Sequence, residues 1–402
     1  MIFLGLLFKK EIEKEILEKS NVGLQNAANN FQWNLIEGLS HFENMQIISA
    51  LPVGSYPSYY KKLILKTEYW ELSSKIKGIE IGSLNIPIIK QYIRYKRVKG
   101  ILKNMISHDQ VKEEIIIYST YLPYLKAVSK LKREYTKITM VATDLPEYYD
   151  LSTTNAVKRI IRKINNFFIY KYLSRVDRFI ILTEDMKIPL RINNRPYIVM
   201  EGIANIESVG TGEIKYSKEI DLKKIILYTG TLNYKFGILN LLAAFKLIIN
   251  KDYELWICGS GEAEKEIIEN MSIDKRIKYY GYVNKNELKK IQDKATLLIN
   301  PRDNSGTYTK YSFPSKTIEY MLSGKPVAMF KLEGIPKEYD DFLCYFENSS
   351  PEYMSERIIN LCQLSFQERL EIGKRAREFI VKKKNNVYQS ERIIRLIKNE
   401  GN

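Results

Sequence analysis

The strongest constraint on the fold is an alternation of short apolar runs with helix-length segments, which passes once through the first half of the chain and starts afresh at Lys224. In the first half the apolar runs fall at 2–7, 46–50, 79–81, 114–119, 138–142, 178–182 and 197–200, with helical periodicity in most of the gaps, as at 121–133. In the second half strands are predicted at 224–228, 254–258, 277–280, 296–299 and 326–330, and helices at 239–249, 262–269, 285–294 and 314–322. Strands joined by helices of this length pair in parallel through crossovers, so each half should form a doubly wound sheet. Residues 201–222 lose the periodicity and collect Gly202, Gly210 and Gly212, the mark of a linker. The expected plan is α/β. It has a first domain over 1–201, a linker over 202–223, a second domain over 224–385, and a basic C-terminal helix over 386–402 whose docking place the sequence leaves open. Two such doubly wound, Rossmann-like domains would face a cleft, with ligands beyond the carboxyl ends of their strands.

At 402 residues the chain is about twice the usual domain length, and 45% hydrophobic residues supply ordinary cores rather than disorder. Cys258, Cys344 and Cys362 are too few and too scattered for a disulfide framework or a zinc cluster, and they fit a reducing compartment. His41 and His108 are the only histidines and lack metal-ligand spacing, so no metal site is expected. Residues 1–8 are apolar but run straight into Lys9 and Lys10, the reverse of a signal peptide's order of charge, and read as a buried strand. No uncharged apolar stretch reaches about 18 residues, so the expectation is a cytoplasmic protein, at most peripheral on the inner face of a membrane.

The 63 Lys and Arg against 47 Asp and Glu leave a net charge of +16, which points to nucleic acid, a phospholipid surface or a phosphorylated substrate. The excess is concentrated. Residues 88–107 hold Lys90, Arg94, Lys96, Arg97, Lys99 and Lys103, and residues 154–175 hold Lys158, Arg159, Arg162, Lys163, Lys171 and Arg175. Neither segment contains an acid, so together they carry 12 of the 16 net charges. Interleaved apolar residues, among them Tyr92 and Ile93 in the first and Ile160, Ile164, Phe167 and Phe168 in the second, give both the pattern of helices lying on an anionic membrane. Two packed helices with solvated basic faces would carry the same pattern. No zinc finger or aromatic RNA-binding signature accompanies the charge, so nucleic acid is not expected as a partner.

Three loops follow predicted strands of the second half. In Tyr228-Thr-Gly-Thr-Leu-Asn-Tyr-Lys-Phe-Gly237, Gly230 lets backbone approach a ligand and Lys235 offers a point charge for phosphate. Cys258-Gly-Ser-Gly-Glu262 supplies Gly259 and Gly261, but Glu264 stands where a third glycine would complete a dinucleotide fingerprint, which disfavours a nicotinamide cofactor. In 309–327, Pro314 suits a first helical position, and Gly324 with Pro326 closes the helix. Its start would present the N–H groups of Ser315 and Lys316 to an anion such as a diphosphate. Glu319 lies on the same face and can accept hydrogen bonds from a ribose diol. The plainer alternative is a capped helix with a Lys316–Glu319 surface ion pair.

Taken together, YSFPSKTIEYMLSGKPV at 311–327, LYTGTLNYKFGI at 227–238, WICGSGE at 256–262, GYV at 281–283 and LLINPR at 297–302 stand in an order and spacing that resembles family-four retaining glycosyltransferases, especially bacterial enzymes of capsule and exopolysaccharide assembly. The resemblance spans most of 224–330. In the first half it is looser, resting on Gly23, on Asp144-Leu145-Pro146 and on 181–183. It implies a GT-B fold, with a nucleotide-sugar donor held by the second domain and a saccharide acceptor, lipid-linked in these enzymes, held by the first. Gly23 and Asp144 are the acceptor-side candidates. Glu319 would hold the ribose and Lys235 the diphosphate, and these two are the candidates for catalysis. Gly230, Thr231, Gly259, Gly261, Arg302, Tyr311, Ser315 and Lys316 would surround the donor. The transfer would be metal-independent, need no further cofactor and retain configuration through front-side attack assisted by the leaving phosphate. Two positions depart from the family. Tyr311 stands where its paired-glutamate motif has the first carboxylate, and Thr231 where it has an arginine beside the glycine; Arg302 or Lys310 can take over part of that charge. The alternative these departures leave is a non-catalytic partner subunit of the same fold.

Overall fold

The computed structural model describes residues 1–21, 24–106, 112–148, 156–206, 223–304, 306 and 308–398. It divides the chain into two units, Met1–Ile203 with Asn386–Asn402, and Ala204–Asn385. Residues 207–222 of the expected linker lie outside the described residues, as does Gly23. Among the described residues no helix is long and apolar enough to cross a membrane.

The first unit runs β1 (Ile2–Gly5), α1 (Glu13–Lys19), α2 (Asn26–Ser40), β2 (Met45–Ser49), β3 (Ile64–Leu65), β4 (Glu68–Ser73), β5 (Ile76–Glu80), β6 (Ser83–Leu84), α3 (Ile89–Met105), β7 (Glu113–Tyr118), α4 (Leu122–Leu131), β8 (Thr136–Ala142), α5 (Ala156–Leu173), β9 (Arg178–Ile181) and β10 (Tyr197–Val199). Its sheet has the order β10-β9-β8-β7-β1-β2-β5-β4 and is parallel except for the edge strand β4. Ile115, Ile116 and Ile117 of β7 are all buried, because helices cover both faces of a parallel sheet and leave no polar side. Antiparallel β4 and the short β3–β6 pair were not among the predicted strands. β4 exposes five of its six residues, so it lacks the apolar run or alternation that would mark it.

The second unit runs β11 (Lys224–Thr229), α6 (Ile238–Lys246), β12 (Tyr253–Cys258), α7 (Glu264–Ile273), β13 (Ile277–Tyr279), α8 (Lys285–Lys294), β14 (Leu297–Asn300), α9 (Lys316–Leu322), β15 (Val327–Phe330), β16 (Cys344–Phe346), α10 (Pro351–Gln363) and α11 (Phe366–Lys383). Its six strands are parallel in the order β13-β12-β11-β14-β15-β16, so the chain reverses direction across the sheet between β11 and β14. Such a reversal opens a crevice at the carboxyl ends of the two strands.

The final helix, α12 (Asn386–Lys398), returns to the first unit and lies against α2. Ile393, Ile394 and Ile397 join Leu35, Ile36 and Leu39 in one core. Gly38 makes the contact possible: a Cβ there would run into the Asn386 carbonyl and the Ser390 hydroxyl. At the other end Arg178, fully buried, pairs with Glu114 at 2.9 Å and donates to the Ile397 carbonyl at 3.2 Å, satisfying an orphan acceptor of the last turn.

The two basic segments part company. In α3, Lys90 and Arg94 turn inward, 5% and 3% exposed, so the expected cationic face over 88–107 loses two of its members. Lys90 donates to the Val53 carbonyl and Asn85 Oδ1, both at 3.0 Å, and Arg94 to the Leu51 carbonyl at 2.8 Å and the Tyr121 hydroxyl at 3.2 Å. Orphan loop carbonyls draw these cations in. In α5, by contrast, Ile160, Ile161, Ile164, Phe167 and Phe168 stand exposed along one side while Ile169 and Leu173 bury the opposite one. Arg159, Lys163 and Lys171 are exposed on the same helix.

Candidate active site

The loops after β11 and β12 are laced together by backbone. Gly230 N donates to the Cys258 carbonyl at 3.0 Å, Leu232 N to that of Ser260 at 2.9 Å, and Ala263 N to that of Leu232 at 3.0 Å. Gly259, at φ +140°, lies against the Gly230 carbonyl where any Cβ would collide, so the approach of the two loops requires a glycine there, while Gly230 is held to glycine by its own φ of +154°. Gly261 N donates to Glu264 Oε1 at 2.8 Å, which gives the acid found in place of a third glycine a structural task. Thr231 is exposed, and its carbonyl accepts from the Tyr228 hydroxyl at 2.8 Å.

Beyond Thr231, Asn233 caps a short turn, Tyr234–Phe236, by accepting from Lys235 N at 2.9 Å. Gly237 closes that turn at φ +76° against the Pro301 carbonyl, which packs it beside the end of β14. Lys235 is exposed at this point, and its ammonium has no carboxylate partner among the described residues. Arg302 follows β14, 9% exposed, with its guanidinium 5.5 Å from the Phe236 ring and 4.7 Å from that of Tyr308. It donates to Ser312 Oγ at 2.8 Å, while its Nε is buried without a partner. Burial lowers its pKa, and Tyr308 opposes the shift. The switch point between β11 and β14 therefore carries two cations, with no carboxylate bonded to either among the described residues.

α9 begins at Lys316, not at Pro314; Ser315 is its cap residue and Pro314 precedes it. The Pro314 carbonyl accepts from Thr317 N at 2.9 Å, which tightens the entry and moves the helix start by two residues. Ser315 is exposed and makes no side-chain cap bond. Lys316 and Glu319 form the expected ion pair at 2.6 Å, with side chains 33% and 41% exposed. A pair so exposed contributes at most about 1 kcal/mol, so a ligand diol can draw the carboxylate away at small cost. Tyr311 is half-buried beneath the Lys310 ammonium, 5.0 Å from its ring centre, so the position of the absent carboxylate is neutral and next to a cation.

The residue that fixes α9 against the sheet was not singled out from sequence. The buried Tyr320 hydroxyl accepts from Thr229 N at 2.8 Å and donates to the Thr229 carbonyl at 3.0 Å, tying the helix of Glu319 to the strand that leads to Gly230. The signal was a tyrosine on the apolar face of a short helix, which reads as core until its hydroxyl partner is known. The aromatic faces of Phe236 and Tyr308 around Arg302 were missed for the same reason. Of the acceptor-side candidates, Asp144 lies in the first unit after β8, exposed, and accepts from its neighbour Thr143 at 3.3 Å.

Two doubly wound sheets of Rossmann type, parallel but for the edge strand β4, define an α/β protein of the GT-B fold. Residues 223–363, within the second unit, match the model of the family described as glycosyl transferases group 1. An uncharacterized glycosyltransferase of Methanocaldococcus jannaschii is 27% identical over 119 residues, which spans 29% of this chain and 29% of that protein. Among solved structures, sucrose-phosphate synthase from Thermosynechococcus elongatus has the same fold at 15% identity, with 99% of both chains covered and a TM-score of 0.66. Anabaena HepE, solved in complex with UDP, matches at 12% identity, 99% of both chains and a TM-score of 0.65.

Proposed function

We propose that this protein is a nucleotide-sugar-dependent glycosyltransferase that moves a sugar, with retention of configuration, to a lipid-linked saccharide at the inner face of a membrane, in cell-surface polysaccharide assembly. The observation that supports the reading is that the Arg302 guanidinium lies 5.5 Å from the ring of Phe236, next to Lys235, while Tyr320 ties the helix of Glu319 to the end of β11, at the switch point of a unit that matches the group 1 model. Glu319 would accept hydrogen bonds from the ribose diol. Lys235 and the unspent Nε of Arg302 would face the diphosphate, Arg302 standing in for the arginine that Thr231 replaces. In the transfer the bond from the anomeric carbon to the diphosphate oxygen breaks and the acceptor hydroxyl oxygen bonds that carbon from the same side. The acceptor proton passes to the departing phosphate, whose growing charge the two cations stabilise. No metal or further cofactor is assigned to this step. The membrane enters through α5, whose exposed isoleucines and phenylalanines with Arg159, Lys163 and Lys171 suit an anionic lipid surface.

Calorimetry with UDP and GDP tests the reading. Lys235→Ala should weaken the bound nucleotide about tenfold and Glu319→Ala about 10–100-fold, as loss of a charge-assisted hydrogen bond does. A wild-type protein that binds no nucleoside diphosphate refutes it. Tyr311 in place of a carboxylate, beneath the Lys310 ammonium, favours one second reading, a partner subunit that holds nucleotide without transferring sugar; nucleotide binding with no turnover of any donor would select it.

A further inference from the structure

Lys235 sits on a turn of only three residues, Tyr234–Phe236, and its reach toward a ligand depends on what holds that turn. The first N–H groups of a helical turn have no partner within it. Here both are spent on side chains. Asn233 Oδ1 accepts from Lys235 N at 2.9 Å, and Tyr234 N reaches across to the loop after β12, donating to Glu262 Oε1 at 3.0 Å. The Tyr234 side chain makes a second link to the same place. Its hydroxyl donates to Glu266 Oε1 at 2.6 Å, in the first turn of α7, and lies 3.1 Å from the Glu262 carbonyl. That bond holds the Glu266 carboxyl below its usual value and the phenol above its own. Tyr234 is 43% exposed, so these bonds rather than burial fix it.

Glu262 is bonded to the backbone beside Lys235 and not to the lysine's ammonium, so it fixes the turn without neutralising its cation. The neighbouring Glu264 is spent in the same way, on Gly261 N at 2.8 Å. We infer that Glu262 is a positioning residue for Lys235: through the Tyr234 N–H, with Glu266 holding the Tyr234 hydroxyl, it keeps the turn in the conformation from which the ammonium meets the diphosphate of the donor. That this anion is the diphosphate of a nucleotide-sugar rests on the glycosyl-transfer reading; the clamp itself stands on the second unit alone. A carboxylate bonded to the residue before Lys235 also repels an anion drawn to that lysine, an effect of opposite sign. Glu262→Gln keeps an oxygen acceptor for Tyr234 N and loses the charge, whereas Glu262→Ala loses both. The change of charge is common to the two, so their comparison isolates the hydrogen bond.

The test uses the full chain, with UDP and GDP titrated by calorimetry into wild type and into the Glu262→Ala and Glu262→Gln variants, each made with Lys235 and with Lys235→Ala. With Lys235 present, Glu262→Ala should bind the nucleotide about three- to tenfold more weakly than Glu262→Gln. In the Lys235→Ala background the two should agree within about twofold, because the bond acts through the lysine. Equal affinities with Lys235 present, or a deficit of Glu262→Ala that persists unchanged without the lysine, overturn the proposal. Hydrogen exchange at the Tyr234 and Lys235 amides, without ligand, reads the clamp directly: Glu262→Ala should exchange at least about fivefold faster than Glu262→Gln, and equal rates overturn it. If Glu262→Ala fails to fold, Tyr234→Phe, which removes only the bond to Glu266, decides against wild type by the same measures. Failure of the wild type to bind either nucleotide would remove the glycosyl-transfer reading, while the exchange rates still settle whether Glu262 holds the turn.

Discussion

A buried carboxylate should leave a signature in the pH dependence of stability. Burial moves the Glu80 carboxyl from 4.5 to about 7. An acid raised in the folded state favours folding while protonated, so its contribution is fully present below about pH 4.5 and is lost as pH rises through 7. That rise corresponds to about 3 kcal/mol between those limits. Glu80→Gln keeps the shape and removes the ionisation, so the variant should gain about 2.5 kcal/mol over wild type at pH 8.5 relative to the same comparison at pH 5, where the unfolded carboxyl is already partly ionised. For a domain of this size that is a relative rise in Tm of about 5–10 °C. Thermal unfolding of both proteins at the two pH values, without ligand, measures it. A Glu80→Gln effect of equal size at pH 5 and pH 8.5 would show that Glu80 is ionised at no cost and refute the penalty that burial sets on its charge.

Two further outcomes follow from packing and surface. Gly38→Ala should destabilise the first unit by about 1–3 kcal/mol, the usual cost of overpacking, because α12 must move off α2; denaturant unfolding read on Trp33, in that unit's core, checks it, and an unchanged midpoint would contradict the contact. Co-sedimentation with vesicles containing anionic lipid should fall about tenfold or more when Phe167 and Ile164 become Ser, and about fivefold per charge when Arg159 or Lys163 becomes Gln; sedimentation insensitive to these changes excludes α5 as the membrane contact.

Period and spacing made the sheets readable, because parallel strands buried on both faces leave uninterrupted apolar runs such as Ile115-Ile116-Ile117. The loops carrying Gly230, Lys235, Gly259 and Arg302 could be placed for the same reason, since each follows such a run. Properties fixed by distant partners stayed out of reach. Lys90 and Arg94 have the spacing of a solvated basic face, and only the carbonyls of Leu51 and Val53 reveal that they are buried. Glu80 looks like any polar residue closing a strand until its burial is seen. The start of α9 shifted because Thr317 bonds the Pro314 carbonyl, a turn that composition does not specify.

The placement of α12 also orders events in time. The chain must complete the whole of Ala204–Asn385 before the residues that close the first unit's core exist. At about 5–20 residues per second, the Leu35, Ile36 and Leu39 face of α2 waits uncovered on the ribosome for on the order of ten seconds or more. The first unit to be made is thus the last to be finished, and a message truncated anywhere in the second half yields a first unit with an open apolar face, a substrate for chaperones and proteases rather than a free-standing domain.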